Sequence, residues 1–139
     1  MADRVFLDTG FAIARFNRRD QYHAAAMALL DKLQDYSSVV TTEAVLIEIA
    51  AAFSQPPQRR IAVRIWDQFH RKTDRFHCVP ATGPLMDEAM NLYRARQDKS
   101  WTLTDCLSFI IMARDGIGDA LSADRHFEQA GYRALMIAG

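Results

Sequence analysis

The amino-acid sequence predicts an α/β domain organised around a parallel sheet of about five strands, and three observations carry that expectation. Short apolar runs alternate along the chain with longer segments of helical periodicity. The runs are apolar almost throughout, as in Val5-Phe6-Leu7 and Val39-Val40-Thr41, which suits strands covered on both faces, because parallel crossovers need a helix. Half of the 139 residues are apolar and 24% are charged, enough for one globular domain with a sizeable core, and residues 1–139 are expected to form it. Sheets of this class bind ligands beyond the carboxyl ends of their strands, so acids that follow strands draw attention first.

Val5 to Leu7 reads as a buried strand ended by Asp8, Thr9 and Gly10, with a helix following through Ala12, Ile13 and Phe16. Tyr22, Ala26, Leu29 or Leu30 and Leu33 recur at helical spacing. Ser37-Ser38 introduce a second strand at Val39 to Thr41, and a helix runs from about Glu43 to Phe53. Gln55-Pro56-Pro57 is the strongest punctuation. Beyond it Ile61, Ile65, Trp66 and Phe69 mark a helix, and Phe76 to Val79 a third strand stopped by Pro80. Leu85, Ala89, Leu92 and Tyr93 give a helical face. Leu103, Leu107, Ile110 and Ile111 give another, apolar enough to be central. Ile117 to Leu121 reads as the fourth strand and Arg133 to Ile137 as a weak fifth; neither a repeat nor a linker composition interrupts the series.

Seventeen Lys and Arg balance seventeen Asp and Glu, so bulk charge gives no argument for a polyanion binder, and any basic surface must be local. The longest apolar run, Ala24 to Leu30, has seven residues, far short of the roughly 18 that cross a bilayer. The start Met-Ala-Asp-Arg lacks the basic leader and apolar segment of a secretory signal. A cytoplasmic protein without a membrane partner is expected. Cys78 and Cys106 offer neither a disulfide framework nor a CxxC site and read as small core residues.

Four acids stand out by their surroundings. Asp8 closes the first strand, where an alternative role is a turn or helix N-cap. Glu48 lies in Val45-Leu46-Ile47-Glu48-Ile49-Ala50-Ala51-Ala52 with no base three or four residues away. Burying it unpaired would cost several kcal/mol or force protonation, so a cation from elsewhere, an Arg or a metal, is expected beside it. Asp105 opens the most apolar helix and forms, with Thr102, the pattern of a capping box. Asp124 follows the fourth strand and could equally cap a helix.

Four carboxylates brought to one sheet edge repel one another, and a hard divalent cation resolves that. Mg²⁺ or Mn²⁺ takes oxygen ligands, whereas Zn²⁺ would call for His or Cys nearby. His23, His70, His77 and His126 show neither HxxxH nor HExxH spacing and read as surface or hydrogen-bonded residues. GxGxxG, GxxxxGK[ST] and GxSxG are absent, which removes the parts for dinucleotide binding, P-loop hydrolysis and acyl transfer. Phosphoester chemistry on metal ions remains.

The pieces Val5-Phe6-Leu7-Asp8-Thr9, Thr41-Thr42-Glu43-Ala44-Val45-Leu46-Ile47-Glu48, Leu103-Thr104-Asp105-Cys106-Leu107-Ser108 and Leu121-Ser122-Ala123-Asp124-Arg125-His126-Phe127 together resemble the PIN-domain family and, within it, the VapC-type ribonuclease toxins of toxin–antitoxin systems. The resemblance implies a three-layer domain, with helices on both faces of the sheet, and a pocket in which Asp8, Glu48, Asp105 and Asp124 hold Mg²⁺ or Mn²⁺. It implies endoribonuclease activity leaving 5′-phosphate and 3′-hydroxyl ends, a homodimer, and a small antitoxin partner. Asp8 and Asp105 would be the principal ligands and Glu48 a ligand or water-orienting base. Asp124 would act through water or on a second ion. The sequence departs from the family at Gly10, where Ser or Asn is commoner, and at Ser122, where Thr is; Ser122 still offers a hydroxyl. Asp119 reads as a strand-start surface residue.

RNA drawn to an acidic pocket needs bases beside it. Arg15, Arg18 and Arg19 follow Asp8 closely, and residues 56–75 carry six basic against two acidic residues, either a phosphate track or a solvated helix face. Trp101 could stack on an extruded base or belong to the core. Two other readings compete. A HAD-like phosphatase wants a second acid where Gly10 stands, and a catalytically inactive PIN-like protein-binding module would have had little reason to keep all four acids.

Overall fold

The computed structural model describes residues 4–137. Strand β1 (Arg4–Leu7) leads into helices α1 (Thr9–Phe16) and α2 (His23–Lys32), and β2 (Ser38–Thr42) into α3 (Glu43–Ala52) and α4 (Arg59–His70). Then come β3 (Phe76–Val79), α5 (Gly83–Ala95), α6 (Leu103–Asp115), β4 (Asp119–Leu121), α7 (Arg125–Gln129) and β5 (Arg133–Ala134). The sheet order is β3-β2-β1-β4-β5 and every pairing is parallel, the α/β architecture expected.

The chain steps outward from β1 to β2 to β3, then returns across the sheet to β4 on the other side of β1. Right-handed crossovers in opposite directions put α1 to α4 on one face and α5 to α7 on the other. The packing agrees: α1 meets α2 and α3, α3 meets α4, and α6 meets α5 and α7. The reversal between β1 and β4 makes their carboxyl ends the topological switch point, where open α/β sheets leave a crevice. Both strands are buried along nearly their whole length, as central parallel strands are. Phe6, Ile49, Leu107, Ile111, Met112 and Phe127 fill the core on the two sides.

Local chemistry sets the helix ends. Thr42 and Thr82 cap α3 and α5 by accepting from the amides of Val45 and Leu85. Helix α6 stops at Gly116, whose φ of 67° is left-handed, and the Ile117 amide then donates back to Met112 O at 2.8 Å. That bond takes Ile117 out of the expected strand, so β4 begins only at Asp119. The fifth strand is likewise shorter than expected, because Ile137 turns back to donate to Ala134 O.

Asp119 corrects the sequence reading outright. It is 7% exposed, not a surface residue: it accepts from Tyr36 Oη at 2.8 Å and lies 3.7 Å from an Arg133 Nη. Its place at the amino end of β4 puts it at the sheet edge opposite the crevice. Among the described residues, no helix is long and apolar enough to cross a membrane.

Candidate active site

Each of the four acids reaches the crevice by a different local device. Asp8 occupies the N-cap position of α1, yet its side chain makes no cap bond. It turns to β4 instead, where Ser122 Oγ donates to Asp8 Oδ2 at 2.8 Å. The same hydroxyl accepts from the Asp124 amide at 3.0 Å, so one buried serine fixes two acids. Glu48, midway along α3, accepts from Thr9 Oγ1 at 2.7 Å; this hydroxyl, rather than an Arg, is its partner on the protein.

Asp105 and Asp124 are helix caps as well as crevice residues. Thr102 Oγ1 accepts from the Asp105 amide while Asp105 Oδ2 accepts from the Thr102 amide, both at 3.0 Å, a complete capping box. Asp124 caps α7 by accepting from the His126 amide at 2.9 Å. His126 Nδ1 stands 3.0 Å from Asp105 Oδ2 and 3.2 Å from Asp124 Oδ1, and its Nε2 lies 3.1 Å from Ser100 Oγ. Capping and site roles therefore coexist: each carboxylate spends one oxygen on an amide and faces the crevice.

All four acids line one open cavity of about 420 Å³, together with Thr9, Thr102 and His126, and its lining includes neither Lys nor Arg. Burial pushes the Asp8 carboxyl up to about 7, against hydrogen bonding from Ser122 and the Thr9 amide and with help from the charges of Asp105 and Asp124. A carboxyl this buried among other acids, with no cation of its own, suits a divalent ion. Ligand atoms of Asp105, Asp124 and His126 lie within 4.8 Å of one another. One imidazole among five carboxylates, Asp20 being the fifth on the lining, leaves the donor set dominated by oxygen, which fits hard Mg²⁺ or Mn²⁺ better than Zn²⁺.

The family model for the PIN domain matches residues 5–131, and so spans all four acids. The chain belongs to the PIN domain family. Among solved structures, Mycobacterium tuberculosis VapC20, described as a sarcin–ricin loop cleaving toxin, matches this PIN domain with a TM-score of 0.80. It is 25% identical over 94% of this chain and 97% of its own. FitAcB from Neisseria gonorrhoeae has the same fold, with a TM-score of 0.62 and 13% identity over 94% and 97% of the two chains. Curated protein sequences give no match.

The residues expected to bind substrate in this PIN domain divide. Ser122 is fully buried beneath the crevice with its hydroxyl spent on Asp8 and the Asp124 amide, so it orders the acids and does not meet a substrate. Arg18 and Arg19 line a neighbouring cavity of about 310 Å³ that shares Ile13 with the acidic one. Arg15 lies away from the acids: it borders a cavity between α1, α4 and the sheet, its guanidinium over Phe16. Trp101 is 6% exposed, donates from Nε1 to Gln129 Oε1 and meets the Phe109 ring edge-on, so it belongs to the core and offers no open face for a base. In the 56–75 segment, Arg75 donates to the carbonyls of Leu33 and Tyr36 and Arg59 to that of Ser54, which ties those two to the fold. His126, expected as a surface or hydrogen-bonded residue, is hydrogen-bonded to Asp105 at the crevice. Thr9 and Asp20 also line the cavity and are the residues that sequence reasoning left unassigned; for Thr9 the signal was its place one residue after Asp8, in the first turn of α1.

Proposed function

We propose that this PIN domain is a Mg²⁺- or Mn²⁺-dependent endoribonuclease acting as the toxin of a toxin–antitoxin pair, with Asp8, Glu48, Asp105 and Asp124 as its catalytic and metal-holding residues. One observation carries the proposal. Asp8 is a deeply buried carboxyl to which the described residues give a hydroxyl and an amide but no cation, at the switch point where Glu48, Asp105 and Asp124 also line the crevice. A fold that wanted only a cap there would not hold the side chain away from the cap. The VapC20 description, a toxin that cleaves, supports both the reaction class and the biological role.

When bound, the ion would lower the pKa of a water toward about 7 and offset charge on the phosphoryl oxygens. The chain's own groups set the geometry. Ser122 holds Asp8, and Thr9 holds Glu48 with one carboxylate oxygen left to accept a water proton. The Thr102 amide and His126 fix Asp105, and the capped Asp124 completes the far wall. Arg18 and Arg19, beside the crevice, are placed to meet phosphates of the RNA. An antitoxin tail carrying an Arg would fit the same acids by bidentate contact and exclude the ion.

Incubation of the purified protein with total RNA is expected to give cleavage with Mg²⁺ or Mn²⁺, none with EDTA, and about 10³-fold less when Asp8 is replaced by Asn. Cleavage that persists in EDTA overturns the metal assignment. No cleavage under any divalent ion, with Mn²⁺ still bound, would favour the protein-binding module instead.

A further inference from the structure

The crevice has a second neighbouring cavity, of about 380 Å³, on the α5–α6 side. Thr102, the cap of α6, lines both this cavity and the acidic one. Its walls are Tyr93, Arg96, Lys99 and Ser100, over a floor of Trp101 and Cys106. The charge here is opposite in sign to that of the crevice, and one of its two cations is held in place. Arg96 lies over the Trp101 ring at 5.0 Å and is clamped by Asp98 through Nε and Nη2, each at 2.9 Å. That clamp leaves the guanidinium's remaining N–H groups unspent. The Lys99 amine makes no ion pair among the described residues. Tyr93 is 48% exposed, with a ring face available on the rim. Ser100, in the same loop, is joined to the acid cluster through His126.

A planar aromatic surface beside cations is the combination that holds single-stranded nucleic acid: the phosphate takes the charge, and the base takes the ring in any sequence. We propose that this cavity seats the nucleotide adjoining the scissile phosphodiester, its phosphate on Lys99 and Arg96 and its base against Tyr93. With Arg18 and Arg19 beyond Ile13 on the other side, an RNA strand would cross the acidic crevice between two basic flanks, which is how a pocket of four acids can attract a polyanion at all. The assignment rests on the nuclease reading and extends it to residues outside the metal site.

The test uses an RNA spanning a cut site of the wild-type protein, with Mn²⁺ saturating. Lys99→Ala and Tyr93→Ala are each expected to raise KM about fivefold or more, with the loss falling on KM rather than kcat, and Lys99→Arg and Tyr93→Phe to restore most of it. Lys99→Ala should also flatten the dependence of log(kcat/KM) on log salt by about 0.7, the share of one single-strand phosphate contact. Arg114→Ala, which removes the same charge at the far end of α6, controls for bulk electrostatics. If both cavity variants match the wild type, or if Arg114→Ala raises KM as much, the subsite is overturned while the nuclease stands. If the wild type cuts no RNA under any divalent ion, the nuclease reading fails and the subsite with it.

Discussion

Asp8 and Asp119 stand at opposite ends of adjacent strands, β1 and β4, and are buried to nearly the same degree, 9% and 7% exposed. What surrounds them differs. Asp119 accepts a phenolic hydrogen bond from Tyr36 and faces Arg133. Burial, the hydrogen bond to Asp119 and its charge push the Tyr36 phenol up to about 12. Asp8 has Ser122 and an amide, two acids nearby and no cation, and it is the carboxyl itself that is pushed up, to about 7. Burial alone therefore does not set Asp8 apart from Asp119; what does is that no cation among the described residues stands beside Asp8, and this is the ground for the proposed ion. The amino end of the sheet is a finished electrostatic structure and the carboxyl end an unfinished one.

The largest expected difference between the two ends is in rate. Asp8→Asn should lower RNA cleavage by about 10³-fold, the equivalent of several kcal/mol of lost transition-state stabilisation. Asp119→Asn keeps an acceptor for Tyr36 and should cut within about twofold of wild type. Equal losses in the two variants, read from initial rates at saturating Mn²⁺, would erase the functional distinction.

Next in size is the pH dependence of stability in EDTA. The folded-state pKa of Asp8 is raised above its unfolded value of about 3.9. The folded form thus keeps the proton longer, and the stability that goes with it is fully present below pH 4 and lost as pH rises toward 7. The quantity to measure is the stability of Asp8→Asn minus that of wild type, in which titration common to both proteins cancels. It should be near zero at pH 4 and grow with pH, by an amount of the order of 4 kcal/mol, before levelling above pH 7. A difference that is flat with pH would mean the carboxyl is solvated. Mn²⁺ should remove the contrast: at 100 times its dissociation constant it stabilises wild type by about 2.7 kcal/mol, equally for Asp119→Asn and scarcely for Asp8→Asn, as thermal shifts would register.

A smaller effect separates the ends structurally. Asp119→Ala leaves the half-buried Tyr36 phenol without its acceptor, while the solvent-exposed Arg133 loses little, and should cost about 1 kcal/mol in denaturant unfolding. Asp8→Ala at pH 7.5 without metal removes a desolvated carboxylate and should cost less. The reverse order would contradict the contrast between the two sites.

Much of this was legible in the sequence because it lay in local pattern. Continuous apolar runs and helical spacing gave the strands and helices, with β3 matched end to end at Phe76–Val79. Asp8, Glu48, Asp105 and Asp124 could be picked out by what preceded each. The parts that were not legible depend on distance. Asp119 follows a strand-start glycine like many surface acids; only folding brings Tyr36, 83 residues earlier, onto it. Trp101 suits the core better than a stacking surface on sequence alone, but stacking is closed off only by the approach of Phe109 and Gln129. For His126 a hydrogen-bonded role is legible, but not its partner, since Asp105 is 21 residues away and is reached only through the fold. The separation of Arg15 from Arg18 and Arg19 is a matter of which side of α1 each occupies, which nearness in sequence hides.

The smallest effect is the most discriminating, because Asp105 belongs to both kinds of region at once. As N3 of α6 it completes a capping box, a role in stability; as a wall of the acidic cavity it faces His126, a role at the site. Asparagine separates the two. Its carbonyl oxygen can still accept from the Thr102 amide, so the box persists, and the repulsion from Asp8 falls by one charge while the attraction to His126 weakens. These changes oppose one another, and in EDTA Asp105→Asn should differ from wild type by less than ~1 kcal/mol, a shift of no more than about 4 °C in Tm for a domain of this size. The ligand role has no such substitute: an amide carries no charge for a divalent ion, so most of the stabilisation by Mn²⁺ should vanish and cleavage with it. If Asp105 served only as a cap, the variant would respond to Mn²⁺ and cut RNA as the wild type does, and the acidic site would have to be rebuilt on Asp8, Glu48 and Asp124 alone.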